Sequence, residues 1–391
     1  MKRFSFLLIA TLLIGCFSLT SCTDMLSSVI DKVTPPDAEN PTTESHEDNI
    51  PEQDYNKDME ENIVRIPVGE TLRILQLTDM QIIDSSQCRN PNRLNSAEMV
   101  NWAPENVEKN CFSQIKDLIT QAQPHLIIVT GDMVYGEFDD SGEMLRAFVD
   151  FMDSFNIPWA PVFGNHDKES TIGIDAICDM FESAPNCLFK TETTNFNDGE
   201  GNYAVKIYQG NKLIQMVYML DTKGCTKATD QSIRRVASIT ENQCLFIEKK
   251  AAEAKEEAGA TVPGILAFHI ATQDFYDAFE AKGYPQEDGF VLGVDVPAEE
   301  GDFGAFFEKG AKPCFSPENF AERLKAIGVN GVFAAHEHKA NTSVVWKDIR
   351  WTFGIKCSTY DYHTNGSLGG TLIEINEGEL SVRHIPTLVG Y

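Results

Sequence analysis

Basic residues are scarce in this chain of 391 residues, which has 32 lysines and arginines against 59 aspartates and glutamates and a formal net charge of -27. Binding to the phosphate backbone of nucleic acid depends mainly on clustered lysine and arginine. We therefore do not expect a nucleic acid as a non-specific partner. An acidic protein that handles phosphate would need cations of another kind.

The apolar run at the N-terminus, residues 4–14, is too short to span a membrane. Lys2 and Arg3 precede it, and small and polar residues follow around a cysteine, which is the pattern of a secretory signal. The end of the segment, Leu19 to Cys22, resembles a bacterial lipobox, in which the cysteine is lipidated and becomes the first mature residue. We expect a lipoprotein signal peptide at residues 1–22, lipidation at Cys22, and a lipid-anchored place in the bacterial cell envelope.

Two alternatives to this N-terminal assignment stay open. Cys16 fits the same lipobox pattern, but the apolar run continues from Phe17 to Leu19, whereas a polar stretch begins after Cys22. Cys22 is therefore favoured. The other alternative is an ordinary cleaved signal without a lipid.

Large apolar residues are few between residues 23 and 62, where twelve acidic residues stand against Lys32 and Lys57 and prolines recur. Such a segment cannot bury enough apolar surface to offset the entropy lost on ordering. We expect a disordered acidic tether at residues 23–62, followed by one folded domain at residues 63–391.

No CxxC pair occurs among the ten cysteines, so a structural zinc knuckle is not indicated. Disulfides are permitted outside the inner membrane. Their pairing cannot be read from the sequence, and buried free thiols are the alternative. The pairs nearest in sequence are Cys88 with Cys111, Cys178 with Cys187, and Cys225 with Cys244.

The domain does contain a repeated local pattern, in which an apolar strand ends in residues of the types that bind metals. Apolar runs alternate with helical stretches, which indicates a layered α/β architecture. The carboxyl ends of buried strands meet at one edge of a sheet, where α/β proteins bind ligands. We therefore expect the side chains that follow these strands to converge. They are Asp79 and Gln81, Asp132, Asn165 and His166, His269, and His336 and His338.

In order and spacing, these residues resemble the signature of the calcineurin-like metallophosphoesterases, and specifically their relatives near the purple acid phosphatases. The resemblance covers about residues 72–371 and is specific, because five separated motifs match in sequence. It implies two packed mixed β-sheets flanked by helices, a four-layer fold. It also implies two divalent or trivalent transition metal ions, iron, manganese or zinc, at the edge of the sheets.

The residue types agree with this implication on chemical grounds. Two neighbouring cations repel each other, so a carboxylate between them is needed, and Asp132 is the natural bridge. Imidazole and carboxylate together suit zinc, iron or manganese and not calcium. Carried over from the family, one ion would take Asp79, Gln81, Asp132 and His338, and the other Asp132, Asn165, His269 and His336.

Gln81 and Tyr135 leave the ligands of the first metal position undecided, and Gln81 and Ala335 depart from the family pattern. Gln81 stands where the family commonly has histidine, and its amide is either a weak ligand or lies beyond the ligands. Tyr135 completes a GDxxY motif in which the purple acid phosphatases use the tyrosine as an iron ligand, whereas simple packing is the alternative here. Ala335 replaces a usual glycine, which a single methyl group should not disturb.

The resemblance implies hydrolysis by a hydroxide that bridges the two ions, without a covalent intermediate. Asp132 and His166 are the expected catalytic residues, and His166 would steady the phosphoryl oxygens or protonate the leaving group. A phosphomonoester is the favoured substrate. A phosphodiester or nucleotide at the same site is the alternative, and a lipoprotein that binds without catalysis is an alternative of another class.

Two further segments are candidates for the surroundings of the site. The polar and aromatic loop at residues 356–366 offers Tyr360, Tyr362 and His363 as possible substrate contacts, with a plain surface loop as the alternative. The insert at residues 284–313, rich in glycine, acidic residues and phenylalanine, is either a lid or an excursion that packs onto the fold.

Overall fold

A computed structural model of the chain describes residues 57–58, 61–90, 92–191, 198–225, 235–284, 289–363 and 368–387. These residues belong to one compact unit that begins at Ile50. The expected signal peptide at residues 1–22, with Cys16 and Cys22, and most of the expected tether lie outside the described residues. Within the ranges above, no helix combines the length and the apolar character that a membrane span requires.

The strands of the described residues form two large mixed sheets and one small pair. One sheet has eight strands in the order β1-β2-β6-β7-β8-β11-β13-β12, the other five in the order β15-β14-β3-β4-β5, and β9 pairs with β10. The strands are β1 (Lys57–Asp58), β2 (Ile63–Ile66), β3 (Leu72–Leu77), β4 (Leu126–Val129), β5 (Trp159–Pro161), β6 (Tyr203–Gln209), β7 (Lys212–Met219), β8 (Gly264–Ile270), β9 (Phe290–Val291), β10 (Ala305–Phe306), β11 (Val329–Ala335), β12 (Ser343–Trp346), β13 (Ile349–Phe353), β14 (Gly369–Asn376) and β15 (Glu379–Pro386).

The strands that lead to the expected site run parallel to one another within each sheet. In the five-stranded sheet, β3 pairs with β4 and β4 with β5, whereas in the eight-stranded sheet β7, β8, β11 and β13 are successively parallel. Every residue of β4 and of β8 is buried. This burial on both faces is why these strands read as continuous apolar runs in the sequence.

Helices cover the outer face of each sheet. One hydrophobic cluster joins α2, α3 and α4 to the five-stranded sheet and to the inner face of the eight-stranded sheet, and a second joins α5, α6 and α7 to its outer face. The expected four-layer arrangement of two mixed sheets flanked by helices is therefore confirmed. The helices are α1 (Ser96–Asn101), α2 (Ser113–Ala122), α3 (Glu143–Asp153), α4 (Ile174–Ser183), α5 (Glu241–Ala258), α6 (Gln273–Ala281) and α7 (Phe320–Ala326).

Two helix starts show where local sequence signals hold and where they do not. Thr240 and Gln243 form a capping box before α5: Thr240 Oγ1 accepts from Gln243 N at 3.2 Å, and Gln243 Oε1 accepts from Thr240 N at 2.8 Å. Ser316 followed by Pro317 has the pattern of an N-cap with a proline at the first helical position and predicts a helix start there. That prediction is wrong, because α7 begins at Phe320. The Ser316 hydroxyl instead contacts Oδ2 of Asp274 at 3.4 Å.

The insert at residues 284–313 packs onto the fold over its described part. It contains β9 and β10, and Phe290 and Phe306 are buried beside Phe279 with ring centroids 5.1 and 5.4 Å away. This favours a structural excursion over a lid. The free thiols among the described residues include those of Cys88, Cys111, Cys178, Cys187, Cys244, Cys314 and Cys357.

The two sheets are joined directly behind the ends of the parallel strands. Nε2 of Gln76, on β3, donates to Ala334 O on β11 at 3.2 Å and to Thr130 Oγ1 at 2.9 Å. A buried amide with these partners fixes β3, β4 and β11 against one another. The residues that follow these three strands therefore emerge at a common edge.

Candidate metal centre

Four of the residues at this edge have a left-handed backbone, which is uncommon outside glycine. The φ angles are 52° for Asp79, 45° for Gln81, 51° for Asp132 and 73° for His336. Each bend redirects the chain immediately after a buried strand. Strained backbone of this kind is concentrated at functional sites, where the surrounding structure holds it in place.

Two glycines are required for these bends to come together. A Cβ on Gly164 would lie 2.1 Å from Oδ1 of Asp132, and a Cβ on Gly131, whose φ is +90°, would lie 2.4 Å from Gly164 N. Neither distance is compatible with a side chain. The GD and GN dipeptides of the sequence therefore reflect backbones in direct contact.

Asp132, Asn165, His269 and His336 lie together at the ends of four strands. Nε2 of His269 is 3.4 Å from Oδ2 of Asp132, 3.2 Å from Oδ1 of Asn165 and 3.3 Å from Nδ1 of His336. Nδ1 of His269 contacts the carbonyl of Thr130 at 2.7 Å, which directs Nε2 towards the other three residues. This is one of the two expected ligand sets.

Asp79, Asp132 and His338 form a second group that shares a carboxylate with the first. Nε2 of His338 lies 3.3 Å from Oδ1 of Asp79, and its Nδ1 contacts the carbonyl of Tyr362 at 3.0 Å. In each group the donor atoms lie within 4.8 Å of one another, and Asp132 belongs to both. The structure thus brings together Asp79, Asp132, His269, His336 and His338, which we call the strand-end cluster.

The electrostatics of the strand-end cluster favour a bound cation. Burial opposes protonation of His269, but the Asp132 carboxylate outweighs burial and raises the pKa of His269 to about 10. Burial would also raise the pKa of Asp79, yet its contact with His338 lowers that pKa to about 2. Oδ1 of Asp79 is buried without a well-formed hydrogen bond. The pKa of Asp132 is lowered as well, by His269 and His166 against the effect of burial. The two ionised carboxylates that hold a proton on His269 would favour a metal ion in place of that proton.

Asp167 fixes the loops that carry Asp132 and Asn165. Its carboxylate accepts the backbone N–H of Asp132 at 2.9 Å, of Met133 at 2.8 Å and of Gly164 at 2.7 Å. A single buried side chain therefore satisfies donors from two separate loops. This explains the aspartate that follows Asn165 and His166 in the sequence.

His166 lies beside the strand-end cluster and is oriented by its neighbours. Its backbone N–H donates to Oδ1 of Asp132 at 2.8 Å, and its Nδ1 contacts Oε2 of Glu169 at 2.9 Å. The side chain of His166 is 14% exposed, whereas that of Glu169 is 2% exposed. The ring of Tyr135 packs on the ring of His166 with centroids 3.9 Å apart. A buried carboxylate and an aromatic ring thus hold an accessible imidazole in place.

Gln81 is close to the strand-end cluster, but its amide oxygen faces a lysine. Lys356 Nζ donates to Oε1 of Gln81 at 2.9 Å and to the carbonyl of Asp79 at 2.5 Å, while Nε2 of Gln81 donates to Oδ2 of Asp132 at 3.3 Å. Lys356 is only 1% exposed. Burial lowers the pKa of Lys356, and the nearby carboxylates of Asp79, Asp361 and Asp132 oppose that shift.

Around the strand-end cluster, the expected outer contacts have mixed outcomes. Tyr360 is fully buried against Trp102, with ring centroids 6.2 Å apart, so the expected substrate contact by Tyr360 is corrected to core packing. Tyr362 is 45% exposed, and its ring lies 4.4 Å from that of His338. Nδ1 of His363 contacts the carbonyl of Asp361 at 3.3 Å, and its role stays a prediction.

Tyr135 does not point its hydroxyl at the strand-end cluster. Its oxygen accepts from Nη2 of Arg93 at 2.5 Å, and burial raises the pKa of Tyr135. This contact favours packing over metal binding. Arg93, Tyr135, Trp102 and Phe138 line a cavity of about 160 Å³ next to His166. We call Arg93, Tyr135 and Tyr362 the rim.

Sequence reasoning missed three residues of the site: Lys356, Glu169 and Arg93. Glu169 follows His166 by three residues, and that spacing was the one signal available for it. Lys356 begins the loop at residues 356–366, but nothing in the sequence connects it with Gln81, 275 positions away. The contact of Arg93 with Tyr135 likewise depends on the folded loop.

The profile of one protein family, the calcineurin-like phosphoesterases, matches residues 72–340, more than two thirds of the chain. The chain belongs to this family. The family uses a dimetal centre, and the strand-end cluster supplies two groups of possible ligands that share Asp132. The identity of the metal is not fixed by these residues.

Curated relatives align with most of this calcineurin-like phosphoesterase. "Probable inactive purple acid phosphatase 29" of Arabidopsis thaliana is 25% identical over 324 residues, 78% of this chain and 76% of the relative. "Phosphatase DCR2" of Saccharomyces cerevisiae is 24% identical over 276 residues, 68% of this chain, and this chain spans 44% of its length.

Solved structures with a similar arrangement include a dimetal phosphatase from Danio rerio, with 10% identity and a TM-score of 0.45 over 83% of this chain and 98% of that one. Another is a purple acid phosphatase from yellow lupin seeds, with 12% identity and a TM-score of 0.39 over 82% of this chain and 53% of that one.

Proposed function

We propose that this protein hydrolyses phosphate monoesters at a dimetal centre built from the strand-end cluster and Asn165. The observation that carries the proposal is the shared position of Asp132, whose carboxylate belongs to both groups of donor atoms. A carboxylate between two imidazole-containing groups suits a pair of zinc, iron or manganese ions. This arrangement also explains how an acidic chain can bind a phosphate dianion.

The residues around the centre have separate tasks in this proposal. Two bound ions would supply an activated water and neutralise charge on the phosphate. Asp132, Asn165, His269 and His336 would hold one ion, and Asp79, Asp132 and His338 the other. Phosphate esters carry their negative charge on the non-bridging oxygens, so a substrate would orient those oxygens towards this cationic edge.

His166 is placed to act on the leaving group. Because its Nδ1 contacts Glu169 at 2.9 Å, Nε2 is the ring nitrogen that would donate a proton to the departing alkoxide. The ring of Tyr135, with its centroid 3.9 Å from that of His166 and tilted by 31°, restricts rotation of the imidazole.

The experiment is an assay of chelator-stripped protein reloaded with manganese, zinc or iron in turn. We expect hydrolysis of p-nitrophenyl phosphate, with slower hydrolysis of the bis(p-nitrophenyl) ester. Faster hydrolysis of the diester would reverse the choice of substrate class. Absence of hydrolysis of either ester, with both ions bound, would show a binding protein instead and would match the word "inactive" in the names of the Arabidopsis relatives.

We also propose that the chain is exported and anchored to a membrane of the bacterial cell envelope through a lipid on Cys22. The support is the signal-like sequence before Cys22 and the acidic segment at residues 23–62 that would separate the domain from the membrane. Cys22→Ser should release the protein from the membrane fraction after export. A mutant that stays with the membranes, while Cys16→Ser is released, would move the anchor to Cys16.

A further inference from the structure

Gln81 and Lys356 form a buried pair at the edge of the metal centre, and the pair decides which atoms of Gln81 face the ions. An amide has one end that only accepts hydrogen bonds and one that only donates them. Here the oxygen is 2.9 Å from the Lys356 ammonium, and the nitrogen is 3.3 Å from Oδ2 of Asp132. Both contacts have the correct polarity.

The opposite orientation of the amide is unfavourable at both ends. Amide oxygen and nitrogen are assigned from their neighbours, so the neighbours must be consistent. Turning Oε1 of Gln81 towards the ions would place its NH₂ group against the Lys356 ammonium, donor against donor. It would also place the oxygen against the Asp132 carboxylate, acceptor against acceptor. Moving Lys356 away would break a second hydrogen bond, because its Nζ also donates to the carbonyl of Asp79 at 2.5 Å.

We propose that Lys356 keeps Gln81 from binding metal, so that the centre has one position with four protein ligands and one open position with three. The open position has Asp79, Asp132 and His338 as ligands. This inference rests on the proposed function, because it concerns the same centre. Gln81 becomes a positioning residue, which donates to Oδ2 of Asp132, the same oxygen that Nε2 of His269 approaches at 3.4 Å.

Two properties of the centre follow. The position with three protein ligands should bind its ion less tightly, because it has one ligand fewer and the positive charge of Lys356 nearby. It should also have room in its coordination shell for an oxygen of the substrate, as open metal positions in enzymes generally do. The second ion would therefore exchange more readily than the first.

The test is a calorimetric titration of the chelator-stripped protein with Mn²⁺, which counts ions and measures affinity without any turnover. We expect two ions, the second bound at least ~10-fold more weakly than the first. Gln81→Met should weaken both ions alike, by about 10-fold, because it removes a hydrogen-bond partner of Asp132, the carboxylate that both positions share. Lys356→Met should tighten the second ion by about 10-fold or more, because a repelling charge is lost.

Lys223→Met is the matched control. Lys223 is also a buried lysine beside a glutamine, with Nζ 3.3 Å from Oε1 of Gln243, but Gln243 has no contact with the strand-end cluster among the described residues. This variant should change neither Kd. Circular dichroism checks the fold of each variant, and if Lys356→Met does not fold, Gln81→Met alone decides.

The inference is overturned if Gln81→Met weakens the second ion by about 10-fold or more and leaves the first unchanged, because loss of a ligand acts on its own ion whereas loss of a partner of Asp132 acts on both. Equal affinity for both ions in the unmodified protein would overturn it as well. Its failure is separable from that of the proposed function. Tight, equal binding of two ions with hydrolysis would refute only the inference, whereas unequal binding without hydrolysis would refute only the function.

Discussion

The strand-end cluster and the rim surround the same centre, but the chain builds them in different ways. The strand-end cluster is carried by residues that follow buried parallel strands, and its geometry is set by hydrogen bonds of the sheets. The rim comes from loops, where Arg93 and Tyr362 are exposed. Arg93 donates to the hydroxyl of Tyr135, and the hydroxyl of Tyr362 donates to Oε1 of Glu308 at 3.3 Å. We therefore expect the rate of the chemical step to depend on the strand-end cluster, and the preference among substrates to depend on the rim.

The largest effect that this comparison predicts is for Asp132→Asn. The amide removes the charge shared by both metal positions, so kcat should fall by roughly 1,000-fold or more, which corresponds to several kcal/mol of lost transition-state stabilisation. Elemental analysis should show fewer than two ions bound. Asp139→Asn is the control, since Asp139 is a buried carboxylate that caps α3 through Met144 N and Leu145 N at 3.0 Å. Full activity of Asp132→Asn would remove the strand-end cluster from the chemistry.

An intermediate effect is expected for Glu169→Gln, which separates the positioning of His166 from metal binding. Without the carboxylate, the ring of His166 loses the contact that orients it towards the leaving group, so an alkyl phosphate should react about 100-fold more slowly. The rate with p-nitrophenyl phosphate, whose leaving group needs no proton, should change by less than about 3-fold. The two substrates are each other's control, and an equal loss on both would indicate that Glu169 only supports the fold.

A smaller effect is expected at the rim. Tyr362→Ala should raise KM by about 3- to 10-fold and leave kcat unchanged, because the ring contributes binding outside the reacting atoms. The number of bound ions should stay the same. A fall in kcat of the size expected for Asp132→Asn would place Tyr362 functionally with the strand-end cluster and would break the comparison.

The smallest kinetic effect is expected for Tyr360, two residues before Tyr362 on the same loop. Tyr360→Leu should leave kcat and KM within about 2-fold, because the ring is buried away from the substrate. The free energy of unfolding should instead decrease by about 1–3 kcal/mol through altered packing against Trp102, as measured by urea denaturation. A changed KM would restore the predicted contact of Tyr360 with the substrate.

The sequence allowed the strand-end cluster to be anticipated because buried parallel strands are continuous apolar runs and their carboxyl ends share an edge. The same reasoning could not orient Gln81, because the lysine that fixes its amide lies 275 positions later. Nor could it separate Tyr360 from Tyr362. Both belong to a polar, aromatic loop, and only the folded chain shows that one ring turns inward and the other outward.

The helix starts also differ in whether their signals lie within a few residues or depend on contacts that form only in the folded chain. The capping box of α5 lies within four residues and was readable, since its donors and acceptors are local. The start of α7 was not, because the hydroxyl of Ser316 is engaged by Asp274 on a different helix. The proline after Ser316 gave a helix signal that tertiary contacts overrode.

The left-handed torsions of Asp79, Gln81, Asp132 and His336 set the directions of these side chains in the folded chain. The entropy needed to aim these side chains is lost when the polypeptide folds, before any ion arrives, so loading the protein should require little rearrangement. Suppose that the five side chains of the strand-end cluster were moved onto straight strands of another scaffold. The donor atoms would then be present but would not point towards a common centre. A transplanted site would therefore need the left-handed backbone as well as the side chains.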